Sequence, residues 1–311
     1  MTRLWAILPA VLLIVLPFFA GEFYINLASQ ILIAAIFALS LNLLVGYGGL
    51  TSLGHAAFLG FAAYAAAWTT TRLGIAPLPA AVLAIGATVA MAAFFGLIAL
   101  RATGLGFLMI TLALSQVLWG LAYRWASLTG GDNGLPGVMR PQPFGISLAG
   151  AEAFYWFTLI VFCIAFALMA VFVSSAFGSA LKGTRDQAGR MAALGHNVWL
   201  IRWITFVYAG FWGGVAGLLY VYYHKYIHPT SLSITVSAEG LLGVIAGGAG
   251  TLFGPVVGAA LLVLLKNYAS AFIERWNMLL GFVFLFIVLV MPEGIVPGVQ
   301  RLLFRRREAK S

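Results

Sequence analysis

The chain has 311 residues, of which 63% are hydrophobic and only 8% are charged, with a net charge of +9. An average soluble domain carries roughly 25% charged residues and must present polar surface to water, so this composition excludes a soluble fold. The apolar residues form continuous runs rather than alternating strands, which excludes a transmembrane β-barrel. The sequence therefore predicts an all-α polytopic membrane protein with about 8–10 transmembrane helices, some of them Gly-rich and broken or re-entrant.

The predicted spans form a single transmembrane domain over residues 1–300. The first, residues 4–20, has the length of a signal peptide but lacks a small-x-small cleavage site, and we expect an uncleaved helix. The later apolar runs cover residues 24–46, 50–70, 79–100, 104–123, 153–174, 203–222, 238–250, 254–270 and 277–292. The pair 238–250 and 254–270 is short for two full spans, so it is either two crossings or a re-entrant pair that enters and leaves on one side.

The distribution of basic residues predicts the orientation. If the N-terminus is cytoplasmic, eleven of the 17 Lys and Arg residues fall on the cytoplasmic side, including those of the tail at 301–311. This matches the positive-inside bias, so we expect both termini in the cytoplasm and attribute the basic charge to membrane topology rather than to nucleic-acid binding. Cys163 is the only cysteine, which excludes an intrachain disulfide, and no metal site is predicted.

The segment 46–60 combines a run of glycines with an Ala-rich helix. Ser52 is predicted to cap that helix and to leave free N–H groups at its start, an arrangement that favours binding of a carboxylate. The alternative is close helix packing through small residues. For His55 we expect a hydrogen bond to a backbone carbonyl. The candidate pathway or helix-break residues of this segment are Gly48, Gly49, Ser52, Gly54 and His55.

Two loops on opposite sides of the membrane are candidates for partner contacts. The external loop 124–152 contains dense turn residues around Asp132 and Asn133, which form either a docking surface or a plain ordered turn. The cytoplasmic loop 176–202 is predicted to hold a short helix with Asp186 and Gln187 in its first turn. Its candidate docking residues are Arg185, Asp186, Ala188, Met191, Ala192, Leu194 and Gly195. Such a helix either inserts into a groove on a partner or lies on the membrane surface.

A second glycine-rich segment lies at 237–259. The spacings Gly243-x3-Gly247 and Gly254-x3-Gly258 predict a close helix crossing, and Pro255 suits the first turn of a helix. Glu239 is one of eight acidic residues and is either a functional group in the membrane or a solvated interfacial residue. The candidate pathway or helix-break residues here are Glu239, Gly247, Gly248, Gly254 and Pro255.

Several catalytic motifs are missing from the sequence. It has no phosphate-binding loop, no nucleophile motif and no His-Glu-x-x-His motif, so the chain is not expected to be an enzyme. It also has no chain of acidic residues within its spans, which disfavours a proton-coupled carrier. A passive channel or facilitator remains as an alternative of a different class.

Four motifs resemble those of bacterial branched-chain amino-acid ABC permeases. They are LTSLGHAAF at 50–58, TGGDNGL at 129–135, TRDQAGRMAALG at 184–195 and GGAGTLFGPVVGA at 247–259, and they occur in the expected order. The chain is most similar to the LivM-type subunits of that family. One departure lies at 189–191, where Gly-Arg-Met stands in place of an acidic residue that often precedes the paired alanines.

The resemblance implies the permease subunit of an ATP-driven importer of branched-chain or related hydrophobic amino acids, working by alternating access. It implies a second, LivH-like permease, two cytoplasmic ABC ATPases that bind ATP and Mg²⁺, a periplasmic or lipid-anchored substrate-binding protein, and no cofactor in this chain. The expected location is the bacterial inner membrane, in contact with lipid. Segment 182–197 is then the ATPase-coupling helix. Urea, short amides and aromatic acids remain as alternative substrates.

Overall fold

The computed structural model describes residues 21–299, except 146 and 273–275, together with residues 13, 15, 17, 19 and 301. Most of the predicted first span at 4–20 and of the basic tail at 301–311 therefore lies outside the described residues. The described part is almost entirely helical, which confirms the predicted all-α membrane fold.

The helices follow one another with short connections. They are α1 (Glu22–Asn42), α2 (Ala56–Thr71), α3 (Pro77–Ala99), α4 (Leu105–Arg124), α5 (Ala126–Thr129), α6 (Ala151–Ser174), α7 (Ala176–Ala193), α8 (Val198–His224), α9 (Ile234–Gly247), α10 (Phe253–Phe272) and α11 (Trp276–Val290). A π-helical turn, Leu43–Tyr47, extends α1, and 3₁₀ turns occupy Gly131–Asn133, Pro143–Gly145 and Pro229–Leu232. Strands β1 (Leu135–Pro136) and β2 (Tyr226–Ile227) pair antiparallel, with Leu135 opposite Ile227.

Six of the described helices are long and apolar enough to cross a membrane, namely α1 with its π-helical turn, α3, α4, α6, α8 and α10. The centre of the bundle is formed by α1 and α8, whose apolar stretches are 78% and 67% buried. The outer helices expose large apolar side chains, such as Val82 at 71% and Met109 at 64%. This arrangement places lipid-compatible surface outside and the backbone breaks inside the protein.

The helix ends meet at two faces of the bundle. At the first, here called the α7 face, the Arg185 guanidinium of α7 contacts Gly46 at the end of α1, and Arg202 at the start of α8 donates to the carbonyl of Thr184. At the opposite face, Arg140 of the loop 125–150 donates to the carbonyl of Tyr222 near the end of α8. The loop and α7 therefore lie at opposite faces of the bundle.

Two short helices begin inside the bundle. Gly54, just before α2, lies against the backbone of Thr111 in the second turn of α4. The carbonyl of Leu232, just before α9, accepts a hydrogen bond from Ser115 at the middle of α4 (3.4 Å). Segments 48–55 and 225–233, which contain no α-helix, thus enter the bundle from opposite faces.

The turn 248–252 between α9 and α10 lies at the α7 face, because Gly250 packs against Gly46. The chain enters this region from the opposite face, at the end of α8, and α10 returns toward that face. Helix α9 therefore runs toward the α7 face and α10 runs back from it; of the two, α10 is long enough to span a membrane, whereas α9 is a shorter apolar helix.

Candidate functional site

The first break in the helical backbone spans residues 48–55. It follows the π-helical turn of α1, and Gly49 adopts a left-handed conformation (φ 65°). Gly48, Ser52 and Gly54 are buried, so the chain crosses the protein interior without helical hydrogen bonds. Unwound backbone at membrane depth is stable only where the protein itself satisfies its polar groups.

His55 is fully buried beside this break, and its partner differs from the predicted backbone carbonyl. Its Nε2 lies 2.8 Å from the hydroxyl of Ser40, which in turn lies 2.7 Å from the carbonyl of Phe37. The rings of Phe37 and Phe58 pack against the imidazole at 5.3 and 5.4 Å. The histidine therefore connects the start of α2 to the C-terminal part of α1.

The prediction that Ser52 caps α2 is wrong. The Oγ of Ser52 accepts only from the N–H of Gly54, at 3.3 Å, whereas the N–H of Ala56 donates to Ser237 of α9 at 2.9 Å. The next two amides, those of Ala57 and Phe58, donate to carbonyls just before the helix. The first three N–H groups of α2 are thus occupied, and they do not form the predicted open site for a carboxylate.

The second break, residues 248–252, contains its own cap. The hydroxyl of Thr251 donates to the carbonyl of Gly248 (2.8 Å) and accepts from the N–H of Gly254 (3.0 Å), which lies in the first turn of α10. Pro255 lies in the first turn of α10, as predicted. Gly248 and Gly250 have positive φ angles of 121° and 79°, conformations that favour glycine.

The helices on either side of this break cross at the predicted glycines. A side chain on Gly247 would overlap the carbonyl of Gly254, and one on Gly258 would overlap the carbonyl of Gly243. The backbones of α9 and α10 therefore touch directly, which larger residues would prevent.

Asn42 and Arg185 join the two breaks to α7. The side chain of Asn42 accepts from the N–H of Gly250 (2.9 Å) and donates to the carbonyl of Thr251 (2.8 Å). The guanidinium of Arg185 donates to the carbonyl of Gly46 at 2.7 Å, and its aliphatic stem lies against Gly49. We call Asn42, Gly46, Arg185 and Gly250 the junction. It is the point at which a displacement of α7 would reach both breaks.

Helix α7 begins earlier than predicted. Ser175 caps it through the N–H of Gly178, so Asp186 lies at the end of the first segment of α7 rather than in the first turn of the helix. The backbone leaves the helical conformation at Gln187 (φ −151°, ψ 88°), which divides α7 into two segments. Asp186 pairs with Arg185 at 2.9 Å and remains 63% exposed.

The predicted strip of small residues is only partly exposed. Ala188 is half-buried, and the sulfur of Met191 packs beside Gly183 of the first segment. Ala192 and Leu194 point outward, with Leu194 69% exposed, and Gly195 (φ 86°) ends the segment. The exposed apolar surface of α7 is therefore its last turn.

A protein-family model described as "Branched-chain amino acid transport system / permease component" matches residues 23–289. The chain belongs to this permease family. It is a multi-pass membrane permease, a transport component rather than an enzyme.

Two curated relatives are similar to the permease over most of its length. Both are named "High-affinity branched-chain amino acid transport system permease protein LivM". The protein from Salmonella typhimurium strain LT2 is 25% identical over 304 residues, covering 90% of this chain and 72% of its own. The protein from Escherichia coli K12 is 26% identical over 322 residues, covering 95% and 75%. No solved structure matched significantly.

The permease holds its loop at the opposite face in an ordered conformation. Arg140 donates to the carbonyls of Tyr222, Leu148 and Ala149, and its guanidinium lies 4.2 Å from the ring centre of Phe154. Burial lowers the pKa of Arg140 from its ordinary value, yet a guanidinium stays charged at neutral pH. No local sequence pattern pointed to Arg140, because its partners are backbone carbonyls that lie 8 to 83 residues away.

Asp132 and Asn133 lie on the exposed surface of this ordered loop. The Oδ1 of Asp132 is 3.6 Å from Nε2 of His228, and the carbonyl of Asn133 accepts from the hydroxyl of Tyr226. The two residues are therefore available at the surface, as the docking interpretation requires, while their positions are set by contacts with the segment after α8.

Glu239 forms a charge pair that the sequence did not predict. Its carboxylate lies 3.3 Å from the ammonium of Lys266 on α10, and its side chain is 18% exposed. The carboxylate of Glu239 is therefore paired within the protein. Asn42, Ser237 and Lys266 were all missed because each acts through a residue more than 20 positions away in the sequence.

Proposed function

We propose that this permease is one membrane subunit of an ATP-driven importer that carries branched-chain or related hydrophobic amino acids into the cytoplasm. Its partners in this proposal are a second, LivH-like permease, two cytoplasmic ABC ATPases that bind ATP and Mg²⁺, and a periplasmic or lipid-anchored binding protein. The complex lies in the bacterial inner membrane, with the α7 face and both termini in the cytoplasm. The names of the two relatives support the choice of substrate.

The observation that carries the mechanism is the contact between Arg185 and Gly46. It joins the exposed helix α7 to the break at 48–55, and Asn42 joins that break to the one at 248–252. In the proposed cycle, closure of the ATPases shifts the last turn of α7, and Arg185 transmits the shift to both breaks. Since glycines there allow backbone rearrangement, the surrounding helices alternate between outward and inward openings.

Two substitutions separate docking from transmission. Ala192→Glu places a charge on the exposed last turn, so we expect the ATPases to be lost on purification and uptake to stop, with normal membrane insertion. Arg185→Met keeps the aliphatic stem against Gly49 but removes the donor to Gly46, so we expect the ATPases to stay bound while uptake falls about tenfold. Arg101→Met, in the exposed loop between α3 and α4, is the control and should change neither measurement.

The assay is ATP-dependent uptake of radiolabelled leucine into proteoliposomes that contain the complete complex. Uptake that needs neither ATP nor the ATPases would indicate a passive facilitator. Uptake of urea, short amides or aromatic acids in place of leucine would retain the importer and change its substrate. Unchanged uptake in Ala192→Glu would contradict the role of α7.

A further inference from the structure

Glu239 and Lys266 are the only charged residues within helices α9 and α10. They lie on the antiparallel helices α9 and α10, and side chains lean toward the N-terminus of their own helix. Lys266 is 13 residues into α10, about 20 Å from the α7 face, and its side chain leans back toward that face. Glu239 lies about 12 Å from the same face and leans away from it. The two charges therefore meet near the middle of the membrane.

A hydrogen-bond network that includes two further helices reaches the residue next to Lys266 in the sequence. Gln30 of α1 donates to the hydroxyl of Tyr223 on α8 (2.9 Å) and accepts from Asn267, the neighbour of Lys266 (3.2 Å). A polar cluster built by α1, α8, α9 and α10 at this depth is costly unless it has a function.

The pair is open at the surface of the chain. The side chain of Lys266 is 47% exposed and that of Glu239 is 18% exposed. Such a pair is unstable against hydrocarbon, so this surface faces a water-filled pathway or another protein rather than lipid. Leu242, one turn from Glu239 on α9, is half-buried in an apolar cluster with Leu262 of α10. Opposite charges and apolar surface thus lie side by side.

We propose that Glu239 and Lys266 form a recognition site for the zwitterion of an α-amino acid during translocation. The carboxylate of Glu239 accepts from the ammonium group of the substrate, Lys266 donates to its carboxylate, and the apolar side chain lies toward Leu242. When no substrate is bound, Glu239 and Lys266 pair with each other, as they do in this structure. This inference rests on the proposed importer function and adds that the permease itself binds both charged groups of the substrate. Neither urea nor an aromatic acid without an amino group carries both charges.

Single substitutions test each half of the site in the complete transporter. Glu239→Gln and Lys266→Met should each lower leucine uptake about tenfold or more, since a charge-assisted hydrogen bond is lost. ATP hydrolysis stimulated by saturating binding protein should stay within about twofold of the unmodified complex, because the α7 face is untouched. The control is Glu293→Gln, which breaks an exposed ion pair with Arg301 (2.7 Å) outside the spanning helices, and it should leave uptake unchanged.

Two analogues of leucine assign the charges. Binding to the purified complex without binding protein is measured by calorimetry for 4-methylpentanoate, which lacks the ammonium group, and for 3-methylbutylamine, which lacks the carboxylate. Lys266→Met should weaken only the first and Glu239→Gln only the second. Equal effects of both substitutions on both analogues would overturn the assignment.

A charge reversal separates recognition from a purely structural ion pair. Glu239→Lys combined with Lys266→Glu restores attraction between α9 and α10, so the protein should fold even if the single variants do not. The charges then lie on the wrong sides of the apolar surface, and uptake should remain low. Full recovery of uptake in the double variant, or normal uptake in both single variants, would overturn the proposal. Failure of the unmodified complex to transport leucine would instead contradict the proposed function.

Discussion

The two breaks in the helical backbone satisfy their backbone hydrogen-bonding groups in different ways. At 248–252 the chain turns within five residues, and Thr251 satisfies both a carbonyl before the turn and an amide after it. At 48–55 the chain crosses the buried interior, and the next helix receives its cap from Ser237, which is 181 residues from Ala56 in the sequence. The second break is therefore local in its hydrogen bonds, whereas the first depends on the rest of the fold.

This difference explains why similar sequences behave differently. Gly-Gly-x-x-Ser-Leu at 48–53 and Gly-Gly-x-x-Thr-Leu at 247–252 share a pattern, but only the hydroxyl of Thr251 caps the helix that follows. We expect substitutions at the first break to disturb distant helices, and substitutions at the second break to act locally unless they touch the glycine crossing.

The largest loss of stability is expected at the glycine crossing of α9 and α10, which lies next to the second break. Gly247→Leu would force a side chain into the carbonyl of Gly254, so α9 and α10 cannot approach. We expect a loss of about 3 kcal/mol or more in the free energy of unfolding, measured by denaturant titration in lipid–detergent micelles. Gly281→Leu, in a helix position with open space around it, should be neutral. A stable Gly247→Leu protein would show that the crossing is not as close as described.

The second-largest loss of stability is expected at Asn42, which connects the two breaks. Asn42→Ala removes two hydrogen bonds to the second break, and it leaves the N–H of Gly250 and the carbonyl of Thr251 without those partners. We expect a destabilisation of about 2–3 kcal/mol in the same titration. Asn133→Ala, the same substitution on the exposed loop, should change the stability by less than about 0.5 kcal/mol. Equal effects at both positions would mean that the breaks are independent.

The distant cap of the first break should have a smaller effect. Ser237→Ala leaves the buried N–H of Ala56 without an acceptor, at an expected cost of about 1–2 kcal/mol. Ser52→Ala removes only the long bond to Gly54 (3.3 Å) and should cost less than half as much. The reverse order would support the local cap that the sequence predicted.

The local cap is expected to have the smallest effect. Thr251→Ala removes the bonds to Gly248 and Gly254, and because the site is only half-buried we expect a loss of about 1 kcal/mol. Thr251→Ser keeps the hydroxyl and should retain most of the stability. A serine variant as unstable as the alanine variant would indicate that the methyl group, and not the cap, stabilises the turn.

Sequence reasoning succeeded where the signal was local or repeated. Hydrophobic runs predicted the spanning helices, the spacing of Gly243, Gly247, Gly254 and Gly258 predicted a close crossing, and Pro255 predicted the first turn of α10. It failed for the start of α7, because Ser175 caps a helix whose first half has no distinctive pattern. It also failed for the partners of His55 and Glu239, which lie on other helices.

By itself, the sequence determined that this chain is a helical membrane protein, where its backbone breaks lie and which transport family it resembles. These properties depend on composition and on spacings of a few residues, which the solvent and the geometry of a single helix translate directly into structure. The packing of the helices sets which distant groups meet: Asn42 with Gly250, Arg185 with Gly46, Ser237 with Ala56, and Glu239 with Lys266. A polar group inside a membrane must find a partner within the protein, and the packing of helices decides which partner is near.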